Sequence, residues 1–315
     1  MMFNKRIQQS TMSLETIFMF LLLLAFNSGY GQTRFKNEVF DSLIVTTDLQ
    51  FGKSPTQGGK IDVLKMDIYQ PKGDVLDKRP LIVLAHGGHF MFGDKHEFSG
   101  EAEVLAKAGF VVACINYRLI DVEPSDTASM KAVIDAIHDL RAAVRFFNKD
   151  AIKENKYRID PTKVIIGGYS AGAVTSLHYA YANTIKDVVD MGGEWLLEYV
   201  ERTGGFEGRS GNPGFQSQVC GVINFAGSMH SANLLNVDEP FLVSVHGTND
   251  KTVPFNAGAT GTTAVITEGS GLIHARAEQI GLANLLIAVE GADHLIRFSC
   301  DGCLEQIMIF LATQL

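Results

Sequence analysis

The chain has 315 residues, 46% hydrophobic and 20% charged, with a formal net charge of −8. That is globular composition, with enough apolar material for one large α/β domain and its core. The negative balance, with no basic cluster beyond Lys5-Arg6, argues against a nucleic-acid partner, because phosphates are held by concentrated positive charge.

Lys5 and Arg6 precede an apolar run from Ile17 to Phe26, and small or turn-forming residues follow up to Gly31. About ten apolar residues fall short of the roughly 20 that a membrane-spanning helix needs, so no integral membrane span is expected. The layout is that of a secretory signal peptide over residues 1–31, which predicts a secreted or periplasmic protein and a catalytic domain over 32–315.

Residues 39–49 and 61–70 alternate in polarity and predict two strands, separated by a turn cluster with Gly52, Pro55, Gly58 and Gly59. Residues 80–85, P-L-I-V-L-A, form the continuous apolar run of a strand buried on both faces. It leads directly into His86-Gly87-Gly88-His89-Phe90. A helix is predicted over 97–108, a strand over 110–116, and the longest helix over 127–148, where Met130, Val133, Ile134, Ile137, Leu140, Val144 and Phe147 fall three and four apart.

The next strand carries Val164, Ile165 and Ile166 into Gly168-Tyr169-Ser170-Ala171-Gly172, and a helical run follows from Ala173. Residues 183–218 then break the rhythm with seven glycines, a proline and the only tryptophan, Trp195. A helix is predicted over 195–200 and loop beyond it, an insertion or a lid over the site. Strands over 219–226, 240–245 and 284–289 and helices over 273–280 and 304–315 complete the chain, with a Gly/Thr-rich loop up to Glu268. Alternating strands and helices predict a parallel sheet covered on both faces.

Of the four cysteines, Cys114 and Cys220 sit in apolar strands and are expected as buried hydrophobes. Cys300 and Cys303 form a C-x-x-C that lacks the two further ligands of a zinc site and a thioredoxin-like surrounding. In an exported chain a local disulfide stays open there. No metal is expected.

Ser170 stands between two glycines at a strand-to-helix corner, where the backbone is strained and the side chain is pushed outward. A serine nucleophile requires a base, and the base an orienting acid. Among nine histidines, His96, His138, His178 and His274 fall in helical stretches, while His86 and His246 precede glycines and suit backbone turns. His230 leaves no strand-end carboxylate between Ser170 and itself, whereas His294 lies just past the last strand and is the expected base. Asp250, after the preceding strand, is the expected acid; Asp293 is too close in sequence to face its neighbour's ring, and Glu290 is a weaker competitor. Backbone N–H groups of Ala171 and of Gly88 or His89 are expected to hold an oxyanion.

The order oxyanion loop, Ser, Asp, His resembles the α/β-hydrolase superfamily, in its secreted carboxylesterase-like branch. The resemblance is carried by H-G-G-x-F at 86–90, G-x-S-x-G at 168–172, D-K-x-V-P at 250–254 and G-x-x-H at 291–294. It implies the α/β-hydrolase fold, a mostly parallel eight-stranded sheet with helices on both faces, and ester hydrolysis through an acyl-serine without cofactor. His89 stands where many members carry a third glycine. Phe90, Tyr169, Trp195 and Met229, with Met91, Phe255 and Leu295, flank the motifs and are expected to line the substrate pocket, although all suit a core equally. The implied substrate is a small-molecule or polymer-linked ester, short-chain or aryl. The alternatives are a serine peptidase of the same fold, or an acetyl, feruloyl or polyester hydrolase.

Overall fold

The computed structural model describes residues 33–260, 264–298 and 300–315; the predicted signal segment 1–31 lies outside the described residues. In chain order the elements are β1 (Leu43–Pro55), β2 (Ile61–Pro71), β3 (Arg79–Ala85), α1 (Ser99–Lys107), β4 (Val111–Ile115), α2 (Asp126–Lys153), β5 (Ile159–Tyr169) and α3 (Ala171–Tyr181). They continue with α4 (Ile185–Gly192), α5 (Glu194–Thr203), β6 (Gly221–Phe225), β7 (Ser228–Met229), β8 (Phe241–Gly247), β9 (Ala257–Ala259) and β10 (Ile266–Gly269). The last are α6 (Ser270–Ile280), β11 (Asn284–Val289) and α7 (Cys303–Gln314), with a 3₁₀ turn at His294–Phe298 between them.

Eight strands form one sheet in the order β1-β2-β4-β3-β5-β6-β8-β11. β1 and β2 pair antiparallel with each other and β2 antiparallel with β4, while the remaining neighbours are parallel. This is the α/β-hydrolase fold. The period-two geometry of a strand explains why its central members read as unbroken apolar runs. Leu81 and Val83 of β3 enter a core shared with Leu140 of α2 and Leu177 of α3, and Ile82 and Leu84 enter the opposite core with Leu105 of α1 and Ile307 of α7.

Two local expectations are corrected by long-range pairing. β1 does not stop near residue 49 but runs to Pro55, through two register shifts, so the turn shrinks to residues 56–60, closed by Thr56 N–H donating to Lys60 O. Glycine is required at position 52, where a Cβ would lie 2.3 Å from Ser210 O. The stretch expected as a Gly/Thr-rich loop holds β9 and β10, which join β7 in a three-stranded sheet. Cys300 and Cys303 are disulfide-bonded.

Residues 183–218 form α4 and α5 and then a loop fastened to α2 by buried charge. Arg118 donates to Asp139 at 3.0 Å, to Pro55 O at 2.9 Å and to Ser210 Oγ at 3.2 Å, and Ser210 Oγ in turn donates to Asp139 at 2.5 Å. Arg145 donates to Gly211 O at 2.9 Å and to Glu207 at 2.7 Å, and Arg141 to Glu207 at 3.1 Å. Sequence displays these charges without their partners. Asp139 is fully buried, and removing one member of a buried ion pair strands the other charge. Asp139→Ala is therefore expected to lower the unfolding free energy by about 3–5 kcal/mol in urea titrations. An unchanged midpoint would mean that Arg118 is held without it.

Candidate active site

Ser170 closes β5, its N–H donating to Phe225 O of β6 at 2.9 Å, and then turns the chain into α3 with φ 52 and ψ −117. Such a backbone costs about 1–3 kcal/mol and persists where surroundings impose it. They do so here by crowding: a Cβ on Gly168 would lie 2.5 Å, and one on Gly172 2.0 Å, from Ala85 O of β3. Glycine lets the corner close, and the corner aims the hydroxyl.

His294 opens the 3₁₀ turn after β11, at the same sheet edge. Its Nε2 is 3.0 Å from Ser170 Oγ and its Nδ1 2.6 Å from Asp250 Oδ2. A carboxylate only accepts, so Nδ1 carries the hydrogen and the Nε2 lone pair faces the serine. The turn reaches this place because Gly247 has no side chain; a Cβ there would lie 2.3 Å from Ala292 O. Tyr169 stacks on the imidazole with ring centroids 5.1 Å apart and donates to His294 O at 3.0 Å. Burial, with Glu97 and Asp250 nearby, pushes the Tyr169 phenol up to about 12, so it remains a donor.

Asp250 lies in the turn after β8. Its Oδ1 accepts the N–H groups of Thr252 at 2.8 Å and Val253 at 2.9 Å. Burial alone would raise its pKa, but hydrogen bonds from His246, His294 and the Val253 N–H outweigh burial and hold the carboxyl well below its usual range. His246 Nε2 lies 3.2 Å from Asp250 Oδ2, a contact absent from the sequence expectations. The i, i+4 spacing of His246 and Asp250 around a turn was the available signal.

The His86–Phe90 loop leaves β3 beside Ser170, because Ala85 is paired with Gly168. Gly88, His89 and Phe90 all have positive φ, at 105, 53 and 60. A Cβ on Gly88 would lie 1.9 Å from Phe92 O, so only glycine fits there. Glu97 Oε2 accepts the Gly87 N–H at 3.0 Å, and Tyr117 OH donates to His86 O at 2.9 Å, which fixes the loop. The N–H groups of His89 and Ala171 have no acceptor among the described residues, and both residues border the cavity that Ser170 enters. Burial, then the nearby His294, pushes the His89 imidazole below its ordinary value.

That cavity has a volume of about 220 Å³ and a largely apolar wall, including Phe90, Met130, Val133, Val174, Val253 and Val265. Of the residues expected to line it, Phe90 and Met91 do. Tyr169, Trp195 and Met229 are not among its lining. Tyr169 lies against His294, Trp195 is exposed on α5, and Met229 is buried in β7 opposite Glu268. Phe255 packs edge-on against His246, and Leu295 is exposed. No residue of 183–218 lines the cavity; its wall comes instead from 124–133 and from Thr260, Val265 and Thr267. Among the described residues no group of three or more His, Cys, Asp or Glu is placed to hold a metal ion, and no helix is long and apolar enough to cross a membrane.

Chemically, the arrangement offers a hydroxyl beside a base, a buried carboxylate behind the base, and two free N–H donors across a small apolar cavity. A family model described as BD-FAE matches residues 66–230. Esterase-5C of Drosophila pseudoobscura pseudoobscura is 26% identical over 197 residues, 59% of this chain and 35% of its own length. The chain spans between 5% and 36% of the length of the curated relatives it matches. Among solved structures, Thermogutta terrifontis esterase 2 phosphorylated by paraoxon superposes with a TM-score of 0.59 at 20% identity, over 87% of this chain and 92% of that one. A bifunctional GH43-CE protein of Bacteroides eggerthii gives 0.63 at 21% identity, over 86% of this chain and 35% of its own.

The depressed pKa of Asp250 has a definite sign in stability. A carboxylate favoured in its charged form by folding contributes stability above its unfolded value, about 3.9, and the contribution is lost as pH falls toward the folded value. Thermal melts between about pH 5 and pH 3 are expected to fall more steeply for the native chain than for Asp250→Asn. Equal slopes would remove Asp250 from the acid-sensitive groups.

Proposed function

The chain belongs to the BD-FAE family, and on that footing we propose that it is a serine esterase that hydrolyses small esters through a covalent acyl-serine. The observation that carries the proposal is the line Ser170 Oγ, His294, Asp250, at 3.0 and 2.6 Å. Ser170 attacks the ester carbonyl while His294 Nε2 takes its proton. Asp250 orients the ring and stabilises the imidazolium. The N–H groups of Ala171 and of His89 or Gly88 receive the oxyanion, which one lost donor would weaken by on the order of 10²–10³ in rate. His294 then returns the proton to the departing alcohol, and water repeats the sequence to free the acid and Ser170.

Two observations support small acyl groups. The cavity, about 220 Å³, is smaller than the roughly 300–1,000 Å³ typical of drug-sized ligand sites. The similar Thermogutta esterase has been solved phosphorylated by paraoxon and with butyrate bound. A polysaccharide-linked ester is the second reading, favoured by the likeness to a carbohydrate esterase from gut microbiota and to the GH43-CE protein. The layout of residues 1–31 and the Cys300–Cys303 disulfide support a secreted or periplasmic place.

The test is a panel of p-nitrophenyl esters from acetate to octanoate, with acetylated xylan, a feruloyl ester and an aminoacyl anilide. The shortest p-nitrophenyl esters are expected to turn over fastest. Ser170→Ala is expected to reduce kcat on the order of 10⁶-fold and to abolish labelling by paraoxon. Turnover of the anilide alone, or full activity in Ser170→Ala, would overturn the proposal.

A further inference from the structure

Behind Asp250 lies a buried chain of polar groups that the mechanism above does not use. His246, at the end of β8, is fully buried. Its Nδ1 is 2.8 Å from Ser270 Oγ; its Nε2 is 2.9 Å from Val253 O and 3.2 Å from Asp250 Oδ2. A carbonyl and a carboxylate both accept, so Nε2 carries a hydrogen shared between them.

The far end of the chain fixes the other nitrogen. Asn224 of β6 accepts the Gly227 N–H on Oδ1 at 2.8 Å, which directs its Nδ2 at Ser244 Oγ, 2.8 Å away, and at Ser270 Oγ, 3.0 Å away. Each serine accepts from Asn224 and turns its own hydrogen to an imidazole. Ser270 donates to His246 Nδ1, and Ser244 donates to His274 Nε2 at 2.7 Å. His274 Nδ1 then donates to Asn284 Oδ1 at 2.7 Å, and Asn284 Nδ2 to Leu282 O at 2.9 Å. Every donor in the chain then has one direction. Burial pushes the His274 imidazole down to about 4, in keeping with a neutral ring that accepts from Ser244.

The consequence falls on Asp250. Its Oδ1 is held by two backbone N–H groups, while its Oδ2 is approached by two imidazoles, His294 from the cavity side and His246 from the core side. We propose that His246, locked by Ser270 and Asn224, is a positioning residue that fixes the Asp250 carboxylate in line with His294 and draws off part of its negative charge. The inference rests on the esterase reading. Other titratable groups facing the pair are Tyr169, stacked on His294, His89 across the cavity, Asp293 beside it, and Glu97 and Arg297 near Tyr169.

Three variants test it. His246→Leu removes the donor, His246→Gln keeps an N–H at similar reach, and Ser270→Ala leaves the ring but removes its lock. The readouts are the pH profile of kcat and KM on p-nitrophenyl acetate and the downfield proton resonance of the His294–Asp250 hydrogen bond. His246→Leu is expected to lower kcat about 10- to 100-fold, the worth of one hydrogen bond to a charged group, with KM nearly unchanged. Its acid limb moves to higher pH, because an Asp250 with one donor fewer holds the His294 proton more strongly. His246→Gln restores most of kcat and the limb, and Ser270→Ala shifts both by less than His246→Leu. If the Leu and Gln variants lose kcat equally with limb and resonance unmoved, His246 is packing alone and the inference fails. Should His246→Leu not fold, the Ser270→Ala profile decides, and one identical to the native profile overturns the inference. The resonance needs no turnover, so a chain inactive on every ester would overturn the esterase reading while still reporting on His246.

Discussion

Two stretches of backbone meet with no side chain between them where β5 turns into α3, and the rest of the site depends on that contact. Gly168 and Gly172 both lie against the Ala85 carbonyl, at distances that no Cβ would tolerate. The closeness forces Ser170 into a positive φ and turns its side chain out of the sheet. It also sets the neighbouring loop, because Ala85 is the last residue of β3 and His86–Phe90 begins one residue later. The positions of the hydroxyl and of the N–H groups facing it are thus one geometric fact, fixed by the pairing of β3 with β5.

Buried charge organises what lies on either side of this contact. On one side Arg118 is surrounded by Asp135, Asp139 and Ser210, which binds β1, α2 and the segment after α5 into one block. On the other, Asp250 accepts from backbone N–H groups and two imidazoles, and the polar chain behind it touches β6, β8, α6 and β11. Arg297 adds a bridge, pairing with Glu97 and Glu101, so the turn that carries His294 is tied to the 3₁₀ turn Lys95–Phe98 and to α1. In each case a desolvated charge is tolerated because hydrogen bonds surround it.

Much of the fold was legible in the sequence because β3, β4 and β8 are buried on both faces and their pattern is set locally. Ser170, Asp250 and His294 were also picked out from sequence, since each stands at or just beyond the end of a parallel strand, in an order that topology constrains. What stayed hidden depends on partners distant in the chain. Gly52 and Pro55 look like turn residues, yet pairing with Leu64 and Ile61 carries β1 through both. The charges of α2 do not reveal that Arg141 and Arg145 hold Glu207, Gly211 and Ser217 in place. Trp195 stood out for being unique, which says nothing of where α5 packs. The glycine after His246 suggests a backbone turn in sequence, and only the fold sets Ser270 against its ring.

The wall of the cavity and the groups beneath it come from different stretches of chain. Residues 124–133 with Thr260, Val265 and Thr267 form much of the wall, whereas Ser170, Asp250 and His294 stand at or just beyond the ends of β5, β8 and β11. Selection can therefore rewrite the mouth while the machinery below is inherited intact. Chains of one fold could thus keep a common sheet edge and diverge in what they admit, and a likeness at about 20% identity to another chain marks kinship of fold.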